Sequence, residues 1–262
     1  MKIHRIYGIS LRYLFYFRHS LDRLSDVFYW PTIDLLLWGL TSLYFRSQLT
    51  TNANFIVFSI ISGIIFWIIV WRGQYEITVN ILSELWDRNL INIFASPLKF
   101  SEWIISFVIL GVIKAMISFV FASAIAYLLY KLQIFAYGVY LIPFILLLIM
   151  TGWAVGFFVA GIILRFGSKF QSLAWAFVMV FAPFSAIYYP VSILPDWAQR
   201  ISSLIPSTYI FEGVREVLKT GNLDLNKIYL SLLLNVIYLA LSLWYLRNSF
   251  NKVLDNGLVK VD

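Results

Sequence analysis

Long apolar runs alternate with short polar connections along almost the whole chain. Because a helix rises about 1.5 Å per residue, about 17–25 mainly apolar residues cross a bilayer core of ~30 Å. Runs of that length predict transmembrane helices over residues 27–45, 55–71, 103–130, 135–164, 173–189 and 228–246. The pattern therefore predicts an all-α integral membrane protein, a single membrane domain over residues 1–262. It has six transmembrane helices in this prediction, so both termini lie on one side.

Composition agrees with a membrane protein and narrows the chemistry. Hydrophobic residues make up 61% of the chain and charged residues 13%, against about 25% charged residues in soluble domains. The chain has no cysteine, and its two histidines, His4 and His19, lie outside the apolar runs. We therefore expect no metal site, no cofactor and no thiol or histidine chemistry within the membrane.

The basic residues indicate the orientation. The net charge of +7 is expected from Lys and Arg held near anionic lipid rather than from binding to nucleic acid. The residues that precede the first predicted span include Lys2, Arg5, Arg12, Arg18 and Arg23. The positive-inside rule then places both termini in the cytoplasm. We expect a multi-pass protein of the cell membrane, plasma or inner.

The first 26 residues carry a polar stripe at helical spacing. Its members are Arg5, Arg12, Tyr16, His19, Arg23 and Asp26, and most of the other residues are apolar or aromatic. Such a pattern predicts a cytoplasmic interfacial helix over residues 1–26. The alternative is a disordered basic tail.

The connection over residues 74–97 predicts a second cytoplasmic helix. Its apolar face comprises Ile81, Leu82, Leu85, Trp86, Leu90 and Ile93. Glu84 and Arg88 are spaced as an i,i+4 pair, and Ser96-Pro97 stops the helix. An exposed amphipathic helix of this kind is expected to bind a partner. The alternative is that it lies on lipid.

The external connection over residues 190–221 is rich in helix starts and stops. Asp196 and Gln199 have the spacing of a helix N-cap and its reciprocal partner, and Pro206 ends the short helix that follows. A second helix runs from about Ser207 to Lys219, and Gly221 terminates it. The prediction is a hairpin of two short amphipathic helices before the last span.

Charge within the predicted spans is confined to Asp34 and Lys114. A charge in hydrocarbon is costly and suggests function, but Asp34 is near enough to the predicted cytoplasmic end for water to reach it. Lys114 adjoins the small residues Ala115, Ser118, Ala122 and Ala126, which predict a helix-packing face. Gly152, Gly156 and Ala160 predict the same for the fourth span.

The layout resembles that of the ABC-2 type permeases, the membrane subunits of ATP-driven exporters. The resemblance covers nearly the whole chain and is strongest in the external hairpin. The matching residues there are Tyr189-Pro190, Leu194-Pro195, Trp197, the run 201–206, Tyr209, Glu212, Arg215 and Gly221. Asn89, Ser96-Pro97-Leu98 and Glu102 resemble the cytoplasmic segment of that family.

The resemblance implies a homodimer in which each permease binds a separate ATPase subunit. The printed chain contains no G-x-x-x-x-G-K-[ST] loop, so we expect ATP on the partner and no enzyme activity here. The implied ATPase-coupling residues are Glu84, Trp86, Asp87, Arg88 and Asn89. The implied pathway residues are Pro31, Asp34 and Trp38. The hairpin is then an external re-entrant gate whose residues are Pro190, Pro195, Trp197, Pro206, Tyr209, Glu212 and Arg215.

Other classes stay open as alternatives. A self-contained secondary transporter or channel is expected to show internal repeats and several ionisable residues at mid-membrane, and a membrane-embedded transferase would need paired carboxylates or histidines. A surface loop on the headgroups is the alternative to a gate. Among exporters, the substrate is expected to be a drug, a lipid, or a lipid-linked or polymeric glycan.

Overall fold

The structure, a computed structural model, describes residues 1–48 and 53–256. These residues form helices joined by short turns, with no strand among them. The helices are α1 (Ile3–His19), α2 (Leu21–Gln48), α3 (Ala53–Trp86), α4 (Leu90–Ala95), α5 (Phe100–Tyr130), α6 (Leu141–Phe166), α7 (Leu173–Phe181), α8 (Asp196–Ser202), α9 (Pro206–Thr220) and α10 (Leu225–Asn256). Short 3₁₀ segments cover Ile134–Tyr140, Ser168–Phe170, Ala182–Phe184 and Val191–Ile193.

In the described ranges, 4 helices are long and apolar enough to cross a membrane. They are Asn54–Trp86, Phe100–Tyr130, Ile134–Phe166 and Leu225–Asp255, and they contain four of the six predicted spans. The predicted span 27–45 lies within α2, which has 28 residues but is interrupted by charges that include Asp26, Asp34 and Arg46. The all-α membrane architecture is confirmed, while six spans remain a prediction.

The helix predicted over residues 173–189 is wrong as a continuous span. α7 has 9 residues and therefore covers about 13 Å, less than half of the ~30 Å bilayer core. Pro183 cannot donate a backbone hydrogen bond, and the chain passes into a 3₁₀ turn at Ala182–Phe184. Ala186 then takes a left-handed φ of 58°, which no α-helix accommodates.

The helix predicted over residues 1–26 is also wrong as a single element. α1 ends at His19, and Ser20 is extended with φ −102° and ψ 109°. Residues 21–26 belong to α2 instead. The stripe is therefore divided between two helices. Two of its arginines lie beside carboxylates of this chain: Arg5 is 3.8 Å from Glu102 and Arg12 is 3.2 Å from Glu84.

α3 lies at the centre of the fold, between α5 and α6, and α6 also packs on α10. Small residues permit the close approach. A Cβ on Gly152 would lie 2.5 Å from the Val70 carbonyl oxygen, and one on Gly156 would lie 3.1 Å from that of Gln74. Ala115, Ser118, Ala122 and Ala126 are all buried on α5. Both predicted packing faces are confirmed.

Candidate functional site

Pro31 lies inside α2 and is accommodated by a neighbouring helix. Proline has no N–H with which to bond the carbonyl of Val27, four residues earlier. The Ser118 hydroxyl of α5 donates to that carbonyl at 3.0 Å. Ser118 of α5 thus provides the hydrogen bond that Pro31 cannot give to the Val27 carbonyl of α2. Backbone groups within a membrane need such a partner because no water is available there.

Asp34 follows on the same helix and is exposed. Trp30 and Leu37, about one helical turn before and after it, are exposed as well, and so is Leu40 about a turn further on. The carboxylate therefore lies beside an apolar face that this chain does not cover. Trp38, the third predicted pathway residue, is half-buried and stacks on Tyr188 with ring centroids 4.5 Å apart. The stack joins α2 to the irregular segment that follows α7.

The predicted cytoplasmic helix is part of α3 rather than a separate element. α3 runs unbroken from Ala53 to Trp86 over 34 residues and ends at a tight turn, where Arg88 has a left-handed φ of 51°. The N–H of Asn89 donates to the Glu84 carbonyl at 2.9 Å across this turn, and α4 begins at Leu90. The prediction of one helix that continues as far as Ser96-Pro97 is therefore wrong.

The prediction that this helix is exposed is wrong too, because the chain covers its apolar face itself. Ile81, Leu82, Leu85, Leu90 and Ile93 are buried in one cluster with residues of α1, α5, α6 and α10. An amphipathic pattern has the same form whether the partner is another protein or another part of the same chain.

Glu84 is buried behind the turn rather than presented on a surface. Its Oε1 accepts a hydrogen bond of 2.5 Å from the Tyr13 hydroxyl, and Nη2 of Arg12 lies 3.2 Å from the same oxygen. Its Oε2 accepts from the Asn89 amide at 2.6 Å. Trp103 of α5 donates its indole N–H to the Tyr13 hydroxyl at 3.2 Å. We call these five residues the Glu84 cluster.

The tip of the turn consists of Trp86, Asp87 and Arg88, which are all exposed. Trp86 is held by a 3.2 Å hydrogen bond from its indole N–H to Gln171 and by stacking on Trp175. Of the predicted coupling residues, the structure thus exposes these three, half-buries Asn89 and buries Glu84.

The predicted hairpin is present as α8 and α9. Ile205 is extended before Pro206, which occupies the first turn of α9, and Gly221 ends that helix with a left-handed φ of 75°. The predicted cap is wrong: Pro195 occupies the N-cap position of α8 without a side-chain bond. Gln199 donates to the Leu194 carbonyl at 2.8 Å instead.

α9 packs into the core, whereas α8 stays outside it. Ile210, Phe211, Val214 and Val217 of α9 belong to the main hydrophobic cluster. Trp197 of α8 is 61% exposed and touches Phe184 edge-on. Tyr209 ties the two helices by donating to the Ser203 carbonyl at 2.8 Å.

Glu212 and Arg215 pair as predicted, with 3.3 Å between Oε1 and Nη1. Glu212 also accepts the N–H of Val191 at 2.9 Å, just after Pro190. Arg215 is buried and donates to the Ala186 carbonyl. The pair therefore fixes the irregular chain around Ala186 and Pro190 onto α9.

A buried charge cluster formed by Asp26, Arg72, Glu76 and Lys114 was missed by sequence reasoning. Nη1 of Arg72 lies 2.6 Å from Asp26 Oδ2 and 3.9 Å from Glu76 Oε1. Nζ of Lys114 lies 2.6 Å from Glu76 Oε2. Lys114 is thus buried at a packing face and also ion-paired. The i,i+4 spacing of Arg72 and Glu76 was the available signal.

Within residues 1–48 and 53–256, no group of three or more His, Cys, Asp or Glu side chains is arranged to hold a metal ion. The described residues thus form a helical membrane protein with three notable features. The Asp34 carboxylate is exposed, the turn at the end of α3 is exposed, and the α8–α9 hairpin is attached to the core through α9.

Comparison with known proteins indicates the family to which the chain is similar. A family model described as ABC-2 type transporter matches residues 16–218, a range that contains the pathway, coupling and hairpin residues discussed above. A search of curated proteins found no match.

Proposed function

The chain belongs to the ABC-2 type transporter family, and we propose that it is the permease subunit of an exporter that acts as a homodimer with two separate ATPase subunits. The chain is a multi-pass membrane protein and a transport component. Permeases of this family normally pair with an ATPase subunit. ATP is bound and hydrolysed on that partner.

In this proposal the exposed turn of Trp86, Asp87 and Arg88 contacts the ATPase. A turn can transmit movement only if it is firmly attached to the helices that move. The Glu84 cluster provides the attachment, because it links α1, α3 and α5 directly behind the turn. Glu84 itself is a positioning residue in this scheme rather than a contact.

The observation that carries the dimer proposal is the exposure of Asp34 on an apolar helix face. An ionisable side chain within a membrane helix almost always faces other protein or a water-filled cavity. We infer that the Asp34 face of α2 borders a pathway between two copies of the chain, together with Trp38. Pro31 is buried, and the Val27 carbonyl that it leaves open is bonded by Ser118 of α5.

The hairpin α8–α9 serves as the external gate in this scheme, with both termini in the cytoplasm. The burial of α9 supports a fixed element rather than a loose surface loop, and the Glu212–Arg215 pair holds it. The transported molecule is a drug, a lipid, or a lipid-linked or polymeric glycan.

Disulfide cross-linking in native membranes tests the dimer. The sequence has no cysteine, so an introduced cysteine is the only thiol. Leu37→Cys and Leu40→Cys place thiols at positions 56% and 59% exposed on the Asp34 face. Leu233→Cys on α10, at a position 57% exposed, is the matched control. We expect a reducible dimer from at least one α2 variant and none from the control. Cross-linking at residue 233 alone would contradict the proposal.

A further inference from the structure

A cavity of about 320 Å³ lies between α2, α3 and α5. Its size falls in the ~300–1,000 Å³ range of ligand pockets. Unlike the apolar core around it, this cavity is lined by charged and polar side chains. They include Arg23, Asp26, Glu76, Asn80 and Lys114.

The carboxylates on its wall are already neutralised by cations of the charge cluster. Asp26 accepts from Arg72, which lies 2.6 Å away. Glu76 accepts from Lys114 at 2.6 Å, with Arg72 3.9 Å away on its other oxygen. Arg72 and Lys114 thus balance the charges of Asp26 and Glu76, and both ion pairs form within this chain.

Arg23 adds a further positive charge to this wall. Its Nη1 donates to the Asn80 amide oxygen at 3.2 Å, and its guanidinium lies 4.1 Å from the centre of the Tyr16 ring. It forms no ion pair with any carboxylate among the side chains that the structure describes. Counted with Arg72, which lies behind the wall, the described groups here are three cations and two carboxylates, and the surplus positive charge favours an anion.

The surroundings of the cavity match the headgroup level of a membrane. Tyr29 and Trp30 line the cavity and are 56% and 55% exposed. Aromatic residues of this kind are enriched where apolar lipid meets water. The other two walls are the membrane-spanning helices α3 and α5. A ligand thus has access from the side, with its polar end in the cavity and its apolar part beside the aromatic rim.

We propose that this cavity binds the phosphate group of an anionic membrane lipid. Arg23 supplies a planar set of N–H donors suited to phosphate oxygens. Lys114 lines the same cavity, and its Nζ is held 2.6 Å from Glu76. The lipid is bound as a ligand of the membrane domain, so the inference does not depend on the ATPase partner or on the transported substrate.

Native mass spectrometry of the detergent-purified full chain tests this inference. The protein is titrated with dioleoyl phosphatidylglycerol, with dioleoylglycerol, which lacks the phosphate, and with inorganic phosphate as a competitor. Arg23→Gln removes the charge from the cavity, whereas Arg18→Gln removes an exposed charge from the neighbouring helix. Arg23→Lys restores the charge. Thermal unfolding of each variant verifies that it is folded.

We expect Arg23→Gln to weaken the first phosphatidylglycerol site about tenfold, the usual loss for a hydrogen bond to a charged group. Arg18→Gln should leave that site unchanged, and Arg23→Lys should recover most of it. Equal effects of Arg23→Gln and Arg18→Gln would overturn the proposal, as would equally tight binding of dioleoylglycerol. Displacement of the lipid by an equal concentration of inorganic phosphate would assign the cavity to a soluble anion instead.

Discussion

The hydroxyl of Tyr13 donates a hydrogen bond of 2.5 Å to Oε1 of Glu84. Burial, and after it the negative charge of Glu84, raise the pKa of Tyr13 well above its ordinary value, so the phenol keeps the proton that it donates. The bond attaches α1 to the C-terminal end of α3. The turn of Trp86, Asp87 and Arg88, the proposed ATPase contact, is therefore held in place by the buried Glu84 cluster directly behind it.

Tyr13→Phe removes this donor and leaves the ring in place. Because Glu84 is buried and loses a hydrogen bond to its charge, we expect the free energy of unfolding to fall by about 1.5–3 kcal/mol. Denaturant unfolding of the detergent-purified protein measures the change. Tyr16→Phe, at a residue 52% exposed, is the control and should stay within about 0.5 kcal/mol of wild type. Equal stability of the two variants would show that the Tyr13 bond contributes nothing.

Lys114→Met tests the buried charge cluster. Glu76 would keep a 3.3 Å hydrogen bond from the Asn80 amide, but among the described side chains its nearest cation would be Arg72, 3.9 Å away. The variant should therefore lose about 3–5 kcal/mol of stability, as expected when one partner of a buried pair is removed. The double variant Lys114→Met with Glu76→Gln should be more stable than the single one, because no unpaired carboxylate remains. Lys169→Met, at an exposed lysine, is the matched control. A double variant less stable than Lys114→Met would contradict this account of the pair.

Gly152→Ala tests the contact between α6 and α3. The new Cβ would lie 2.5 Å from the Val70 carbonyl oxygen, a backbone atom that cannot rotate away. We expect a loss of about 1–3 kcal/mol, the usual effect of overpacking. Gly8→Ala is the same change on α1 where nothing lies within 4 Å, and it should be neutral or gain up to about 1 kcal/mol of helix propensity. Thermal unfolding of both variants gives the comparison, and a stable Gly152→Ala would refute the close approach.

Features that depend on local chemistry could be predicted from the sequence. Apolar length predicted the long helices. Pro206 in the first turn of α9 and Gly221 after its last residue marked the ends of that helix, and the three-residue spacing predicted the Glu212–Arg215 pair. The small residues on α5 and α6 predicted packing faces because only close helix contact explains such stripes.

Features that depend on tertiary contacts could not be predicted in this way. A hydropathy window does not register the 3₁₀ turn at Pro183 or the left-handed Ala186 that end α7 early. The amphipathic pattern at the end of α3 predicts an exposed surface, because such a pattern does not say which helices cover its apolar face. The partnership of Lys114 with Glu76 required knowledge that α3 and α5 are neighbours.

Co-purification with an ATPase subunit tests the central claim, that this permease works with a separate ATPase through the turn after α3. A tag on this chain, co-expressed with that subunit, should recover both proteins from wild type and from the control Asp255→Lys, which reverses an exposed charge on α10. Asp87→Lys reverses an exposed charge on the turn and should lower the recovered ATPase severalfold. Recovery of the permease alone in several mild detergents, with wild type as with Asp87→Lys, would contradict the claim.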